Sequence, residues 1–188
     1  MGKVKNDMIK GFLKTILETI EIFLIALAIV IPIRYFLFQP FFVSGASMEP
    51  NFQSGEYLLI DEISYRVRDP QRGEVVVFRY PQNPSIFFIK RITALPGETI
   101  EIKRGTIKIY NLEFPQGKIL KESYIEDPTA GDIKMSLKKD EYFVMGDNRD
   151  HSSDSRSWGG VKREYIVGRA WLSVFPLKGI KFLPSPNY

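Results

Sequence analysis

A serine preceded by very small residues is the first candidate for chemistry in this sequence. Ser47 follows Gly45 and Ala46, so little side-chain bulk precedes it, and the backbone of a substrate could approach the Ser47 hydroxyl closely. Pro50 then restricts the backbone where the segment ends. The segment is compatible with a nucleophilic serine, but taken alone these residues favour an ordinary Ser-Gly turn that links the N-terminal segment to the domain.

A lysine among apolar residues is the second candidate. Lys90 lies within residues 86–92, IFFIKRI, a short apolar run that predicts a β-strand. Because strand side chains alternate between faces, Lys90 and Arg91 point to opposite sides, and one cation is buried unless the strand lies at an edge. Burial lowers the pKa of a lysine, which allows it to act as a base near neutral pH. The pattern therefore predicts either a general base or a lysine that reaches solvent from an edge strand.

A dense polar segment is the third candidate. Residues 146–156, GDNRDHSSDSR, follow a hydrophobic stretch and carry side chains that compete with regular backbone hydrogen bonding, which is typical of a loop that positions other groups. The ligand spacing and the closing glutamate of a calcium loop are missing, so we do not predict a calcium site. His151 leaves open a Ser-His-Asp triad with Ser47 and Asp154.

The elements that must position these residues begin with an apolar N-terminal segment. Residues 22–33 are an unbroken apolar run, and with the preceding turns, which carry Glu18 and Glu21, the segment approaches the roughly 20 residues needed to cross a bilayer. A cleaved secretory signal would end in a small-residue site, whereas Arg34 and aromatic residues follow here. A buried core helix does not explain so dense an apolar run next to several lysines. The sequence therefore predicts a transmembrane helix over residues 16–36.

The distribution of basic residues predicts the orientation of this helix. Lysines are concentrated in residues 1–15, whereas Arg34 is the one Lys or Arg between that segment and Arg66. The positive-inside rule then predicts a cytoplasmic N-terminus over residues 1–15 and an extracytoplasmic domain over residues 37–188. The chain is expected to be a single-pass protein of the cytoplasmic membrane, with Phe41, Phe42 and their aromatic neighbours in contact with membrane lipid.

The rest of the sequence predicts a mainly β fold. Short apolar or alternating runs are bounded by turn residues, and Arg104-Gly105 between two alternating runs predicts a hairpin. The predicted strands cover residues 74–78, 86–92, 99–103, 106–110, 141–145 and 166–175. Residues 111–140 are polar and interrupted by Pro and Gly, so we expect them to form an inserted subdomain.

The composition excludes several classes of site. The 188 residues include no cysteine, which excludes disulfides, Cys-ligated zinc, iron–sulfur clusters and thiol nucleophiles, and one histidine, which excludes sites with two or more imidazoles. Residues 1–15 are basic, but residues 35–188 carry only +2 of the net charge of +4, with acidic and basic residues interleaved and without the aromatic-basic stripe typical of nucleic-acid binding. We therefore expect no metal, no other cofactor and no nucleic-acid partner.

In their order along the chain, these segments resemble bacterial type I signal peptidases, the membrane-anchored serine proteases that remove signal peptides from exported proteins. Residues 44–50, SGASMEP, are similar to the family's nucleophile segment, in which Ser-Met is followed after one residue by Pro. Residues 72–78, RGEVVVF, resemble its Arg-Gly-acidic-apolar strand, and residues 90–98, KRITALPGE, resemble the segment of its catalytic lysine. Residues 146–156 are similar to its most specific signature.

The resemblance implies a role for each matched residue. Ser47 would be the nucleophile, Lys90 its general base and Ser152 the group that orients the lysine amine. The Ser47 backbone N–H would contribute to the oxyanion hole, but some family members also use a serine that is replaced by Gly45 here, so the second donor is not identified. The residues that would support the site structurally are Asp147, Asp154 and Arg156.

The resemblance also implies a fold and a substrate. The fold would be a β-rich catalytic domain with a smaller β insertion behind the N-terminal helix. The substrates would be signal-peptide-bearing preproteins, cleaved after small-x-small sequences such as Ala-x-Ala.

Two other functions are compatible with parts of the pattern. Self-cleaving repressor-type proteases use the same Ser–Lys pair, but they are soluble, which disagrees with the predicted membrane helix. An inactive, membrane-tethered β module that binds exported peptides would need none of the catalytic groups. Cleavage of a signal-peptide-containing precursor by the purified protein distinguishes these functions.

Overall fold

The structure is a computed structural model that describes residues 2–36, 38–125, 127–175 and 181–183. The chain divides into two compact units, Met1–Phe38 and Gln39–Tyr188.

The first unit contains one α-helix, α1 (Gly2–Phe36). Within it, the Thr19 hydroxyl donates to the Thr15 carbonyl over 2.8 Å, and Lys14 forms an exposed ion pair with Glu18 one turn later at 3.8 Å. The predicted helix is present, but it begins well before residue 16, so the residues expected to form a separate N-terminal segment belong to the same helix.

The predicted membrane crossing is not confirmed. Among the described residues, no helix combines the length and the apolar character that crossing a membrane requires.

The second unit is built mainly from β-strands, as the sequence predicts. Its helices and strands are, in chain order, β1 (Phe38–Phe42), β2 (Tyr57–Asp61), α2 (Ser64–Val67), β3 (Val75–Tyr80), β4 (Asn83–Ala94), β5 (Thr99–Lys103), β6 (Thr106–Tyr110), β7 (Lys118–Ile119), β8 (Ile133–Ser136), β9 (Glu141–Met145), α3 (Ser155–Trp158), β10 (Val161–Lys162), a 3₁₀ helix (Arg163–Tyr165), β11 (Ile166–Phe175) and β12 (Lys181–Phe182). The larger sheet has the order β1-β2-β11-β3-β4-β9-β10, with β12 paired to β11.

The centre of the larger sheet is buried on both faces. On β3, Val75 and Val77 pack into one hydrophobic cluster, which includes Met48, while Val76 and Phe78 pack into another on the opposite face. Because side chains alternate along a strand, this requires an apolar residue at every position, as the run VVVF provides. Strand β4 pairs with β3 on one side and β9 on the other, so it is not an edge strand.

The smaller sheet has the order β7-β6-β5-β8. The predicted hairpin is confirmed, since β5 and β6 pair antiparallel around Arg104 and Gly105, both with positive φ, as two-residue hairpin turns require. Its inward isoleucines, such as Ile100 and Ile109, form a third hydrophobic cluster with Met145 of β9. The sheet therefore begins at Thr99, and the predicted inserted subdomain, residues 111–140, supplies only β7 and β8.

Candidate active site

Ser47 lies in the connection between β1 and β2, and buried neighbours fix this connection. The Val43 N–H donates to the Glu56 carbonyl over 2.8 Å, which closes the loop at its base. Met48, directly after the serine, is 1% exposed and anchors the segment in the core. Gly45 has a φ of +96°, a conformation that L side chains rarely adopt, so a glycine is favoured two residues before the candidate nucleophile.

Lys90 lies on β4 opposite Val76 and reaches the candidate serine. Its Nζ is 2.8 Å from the Ser47 Oγ and donates to the Ile89 carbonyl over 2.9 Å. The residue is only 4% exposed, so the alternative of a lysine that reaches solvent from an edge strand is wrong. The structure thus brings together the two residues to which the sequence analysis assigned nucleophile and base.

Burial lowers the pKa of Lys90 from 10.5 to about 8, while the more distant charges of Asp154 and Asp147 act in the opposite direction. Both hydrogen-bond partners of the Nζ are neutral, so burial is not balanced by a bonded carboxylate. The Phe88 ring centroid lies 5.1 Å from the Nζ, a cation–π contact that favours the charged amine, so burial lowers the pKa against this attraction as well. When the amine is neutral, the Ser47 hydroxyl can donate to it, as a base-activated nucleophile requires.

Arg91, the next residue on β4, is buried on the opposite side of the strand at 5% exposure. The strand pattern predicts one buried cation here, and the structure has two, because both faces of the sheet are covered. The Arg91 guanidinium forms a bidentate ion pair with Asp147, with distances of 2.8 and 2.6 Å, and donates to the Gly73 carbonyl over 2.9 Å. The two adjacent buried residues therefore have different partners: Arg91 is paired with the Asp147 carboxylate, whereas Lys90 contacts the Ser47 hydroxyl.

The polar loop after β9 is bonded directly to the serine segment. The Asn148 N–H donates to the Ser47 carbonyl and its side-chain amide donates to the Ala46 carbonyl, each over 3.1 Å. Gly146 packs so closely that a Cβ there would lie 2.4 Å from the Ser47 carbonyl oxygen. The loop therefore sets the position of the Ser47 backbone.

Asp154 and Arg156 form an ion pair inside this loop. The Arg156 Nε donates to the fully buried Asp154 over 2.8 Å, and the Asp154 carboxylate also accepts from the Gly146 N–H over 3.0 Å. The pair joins the end of β9 to the start of α3, so these contacts connect two parts of the loop.

Ser152 is close to the serine segment, but it does not form the predicted bond to the lysine. In the described part of the chain, its buried hydroxyl has no hydrogen-bond partner. The hydroxyl packs against Gly146, where a Cβ would lie 2.3 Å from the Ser152 Oγ. The orientation of Lys90 by Ser152 remains a prediction.

His151 does not form a triad with Ser47 and Asp154. Its Nδ1 lies 3.1 Å from the Asn148 Oδ1 on the exposed side of the loop, while Asp154 is engaged by Arg156. Within the described ranges, no three His, Asp or Glu side chains converge on a point where a metal ion could bind.

A cavity of about 310 Å³ opens at the Ser47–Lys90 pair. Phe41 and Phe87 contact each other edge to face, with ring centroids 5.4 Å apart, and form part of its wall. Phe41 and Phe42, which were expected to contact lipid, both line this cavity. Their contact with lipid remains a prediction, and their place in the cavity wall was not foreseen because an aromatic run after an apolar helix is typical of a membrane interface.

Other site residues were also missed by the sequence analysis. Glu122 accepts a hydrogen bond from Arg149 in the polar loop, residues 146–156. The Tyr124 carbonyl accepts one from the Asn51 side chain, shortly after Ser47, over 2.7 Å. The segment between β7 and β8 therefore contacts both the polar loop and the serine segment. Asn148 belongs to the motif of residues 146–156, GDNRDHSSDSR, so that motif could have identified it from the sequence. Glu122 and Tyr124 had no such signal, because neither their spacing nor their neighbours distinguish them from an ordinary polar connection.

The chain is similar in sequence to known signal peptidases. The family model described as signal peptidase, peptidase S26, matches residues 16–175. The chain is 38% identical over 177 residues to the probable signal peptidase I-2 of Synechocystis sp., covering 90% of this chain and 78% of that protein. It is 35% identical over 178 residues to the signal peptidase I P of Bacillus subtilis subsp. natto, covering 88% and 92% respectively. A crystal structure of a signal peptidase I from Enterococcus faecalis V583 superimposes with a TM-score of 0.47 at 30% identity, covering 54% of this chain and 97% of that one.

Proposed function

The chain belongs to the signal peptidase family, peptidase S26, and from this membership and the site geometry we propose that it is a serine endopeptidase that cleaves signal peptides from exported preproteins. Ser47 is the nucleophile and Lys90 the general base. The observation that carries this proposal is the 2.8 Å contact between the Lys90 Nζ and the Ser47 Oγ, made by a buried lysine at the wall of an open cavity. A surface Ser–Lys contact would leave the amine charged and unable to accept a proton at neutral pH.

The reaction follows from the two groups. The neutral Lys90 Nζ accepts the hydroxyl proton as the Ser47 Oγ forms a bond to the scissile carbonyl carbon. The Lys90 ammonium then donates this proton to the leaving amine as the carbon–nitrogen bond breaks, which leaves an acyl ester on Ser47. A water molecule, deprotonated by Lys90, attacks the ester, and the proton returns to the Ser47 oxygen. The Ser47 backbone N–H contributes to stabilising the tetrahedral oxyanion in both steps.

The supporting residues have separate roles in this proposal. Ser152 orients the Lys90 amine through its hydroxyl, which is buried and without a hydrogen-bond partner among the described residues. Asp147 holds Arg91 on the far side of β4, and Asp154 with Arg156 holds the loop, as their ion pairs suggest. These three charged residues position others and contact no reacting atom.

The proposed cleavage site follows small-x-small sequences such as Ala-x-Ala. An extended substrate backbone can approach Ser47 along Gly45 and Ala46, where no bulky side chain intervenes. Alternate side chains of an extended peptide point the same way, so the first and third residues before the cut would face the protein together. The Phe41 and Phe87 rings narrow the cavity beside Ser47, which favours small apolar side chains there.

The localisation that goes with this activity is the cytoplasmic membrane, with the β unit on the outer side, where exported preproteins are processed. The lysines of residues 1–15 and the exposed apolar side chains of α1, such as Phe12 and Phe23, support this. Cell fractionation, followed by protease treatment of spheroplasts from outside, tests it. Digestion of the β unit is expected, and recovery of the intact protein in the soluble cytoplasmic fraction would refute it.

The experiment that tests the dyad compares single and double variants with a signal-peptide-containing precursor. Ser47→Ala and Lys90→Ala are each expected to abolish cleavage, and the double variant should be no worse than either, because the two groups act as a unit. His151→Ala is the matched control, since His151 lines the same cavity without contacting the dyad, and it should retain most activity. A fully active Lys90→Ala protein would overturn the assignment of the base.

A further inference from the structure

The segment between β7 and β8 contacts the polar loop after β9, residues 146–156, through one buried carboxylate. Glu122 accepts two hydrogen bonds from the Arg149 guanidinium, each of 2.8 Å, and a third from the Tyr124 hydroxyl at 2.5 Å. The Glu122 and Arg149 side chains are 6% and 1% exposed. A buried bidentate pair of this kind restrains both partners, because leaving either charge alone in the interior is strongly unfavourable.

Arg149 transfers this restraint to the loop that contacts the serine. Its Nε donates to the Gly146 carbonyl over 2.9 Å, and its guanidinium also contacts the Thr129 hydroxyl. Gly146 in turn packs against the Ser47 carbonyl with no room for a side chain. A continuous set of contacts therefore runs from Glu122 through Arg149 and Gly146 to the Ser47 backbone.

The same segment supports the other cation of β4. The Arg91 guanidinium lies 4.2 Å from the centroid of the Tyr124 ring, and the Asn51 amide bridges the Tyr124 carbonyl and Asp147 over 2.7 and 3.0 Å. Arg91 is adjacent to Lys90 on the strand, so residues 122–124 contact both the loop that holds Ser47 and the strand that carries its base.

We propose that Glu122 is a positioning residue for catalysis, which fixes Gly146 through Arg149 and so holds Ser47 at hydrogen-bond distance from Lys90. This inference rests on the proposed function, and it assigns to the connection between β7 and β8 a part in that function. Glu122 contacts no reacting atom, so its effect is on the geometry of the dyad and not on the binding of the substrate.

The test compares Glu122→Gln, which keeps the size of the side chain and removes its charge, with Asp61→Asn. Asp61 is the matched control because it is also a largely buried carboxylate paired with an arginine, Arg169, at 2.9 Å, but it joins β2 to β11 away from the dyad. Glu122→Gln is expected to lower kcat for precursor cleavage about 10- to 100-fold with KM within about twofold of wild type. Asp61→Asn should lower the melting temperature comparably and leave kcat within about twofold. Equal kcat values for the two variants, or a change in KM alone, would overturn the proposal.

A second readout needs no substrate. The pKa of Lys90, followed by NMR of protein with ¹³C-labelled lysine, should rise from about 8 toward 10.5 in Glu122→Gln, because a displaced Ser47 segment admits water to the amine. An unchanged pKa in a folded variant contradicts the positioning role. If wild-type protein cleaves no precursor, the proposed function fails, whereas this measurement still tests the positioning.

Conservative replacement separates positioning from folding. Glu122→Asp keeps the charge and should recover part of the lost kcat. If Glu122→Gln does not fold, Arg149→Lys takes its place, since it keeps a cation for Glu122 but lacks the Nε donor to the Gly146 carbonyl. Arg149→Lys is expected to lower kcat about tenfold or more, and wild-type kcat in a folded Arg149→Lys protein would refute the proposed route through Gly146.

Discussion

Raising the pH is expected to increase the rate of precursor cleavage along a limb set by Lys90. Only the neutral amine can accept the Ser47 proton, so the rate should follow the fraction of Lys90 that is deprotonated. Burial holds the pKa of Lys90 at about 8. The rate should therefore rise between about pH 7 and pH 9 and level off above this range.

The magnitude follows from the two pKa values. At pH 7, a lysine with a pKa of about 8 is roughly one-tenth neutral, whereas one with a pKa of 10.5 is neutral in only about one molecule in 3,000. The lowered pKa thus increases the active fraction about 300-fold at pH 7, which corresponds to about 3 kcal/mol. The structural origin of this gain is a side chain that is 4% exposed, with neutral hydrogen-bond partners.

The assay is kcat/KM for a signal-peptide substrate between pH 5.5 and 10.5, measured for wild type and for His151→Ala. Both proteins should give one rising limb with the same midpoint near pH 8. Lys90→Arg should be inactive throughout, because a guanidinium stays protonated in this range. A midpoint near 6.5 that disappears in His151→Ala would refute the reasoning, and so would a limb near 10.5, the value of a solvated lysine.

Three further predictions concern the packing of the site, the stability of the protein and the cleavage specificity. Gly146→Ala should lower kcat about 100-fold or more in a folded protein, because its Cβ would meet the Ser47 carbonyl at 2.4 Å and force the segment to move; wild-type kcat would show that the loop adapts freely. Lys90→Met should unfold at a higher denaturant concentration than wild type at pH 7, because the buried ammonium destabilises the native wild-type protein. The difference in unfolding midpoint should decline as the pH rises from about 8 to 10.5, since the unfolded wild-type protein binds more protons than the native one in that window and wild type therefore gains stability. A difference that does not change with pH would argue against a buried charge. A precursor with Phe immediately before the cut should lose most of its kcat/KM relative to one with Ala, since the Phe41 and Phe87 rings already form part of the cavity wall beside Ser47; equal cleavage of both would show that this wall does not select the residue.

Local sequence patterns predicted six of the twelve strands in the described part of the chain, and β1, β2, β7, β8, β10 and β12 were missed. The hairpin of β5 and β6 follows from strict alternation around Arg104-Gly105, and the run VVVF identifies a strand covered on both faces. The ends of β4 were less accurate, since it extends from Asn83 to Ala94 whereas the apolar run covers only residues 86–92. Pairing with β3 continues beyond the apolar residues, because backbone hydrogen bonds do not depend on side-chain type.

The candidate site was predictable where residue type limits its chemistry. A lysine among isoleucines and phenylalanines has few structural explanations, so Lys90 could be selected from the sequence, and the structure places it beside Ser47. The partner of Arg149 could not be selected in this way. Glu122 is 27 residues away in the sequence, in a polar connection that resembles solvent-exposed loops, and only the tertiary fold brings the two charges together.

The most direct test of the central proposal is N-terminal sequencing of the product that purified protein releases from a signal-peptide-containing precursor, with Ser47→Ala as the control. Wild type is expected to yield one mature N-terminus directly after a small-x-small sequence, and Ser47→Ala should leave the precursor intact under the same conditions. Binding of the precursor without cleavage by wild type would instead support an inactive peptide-binding module. Release of the same product by Ser47→Ala would contradict the assignment of Ser47 as the nucleophile.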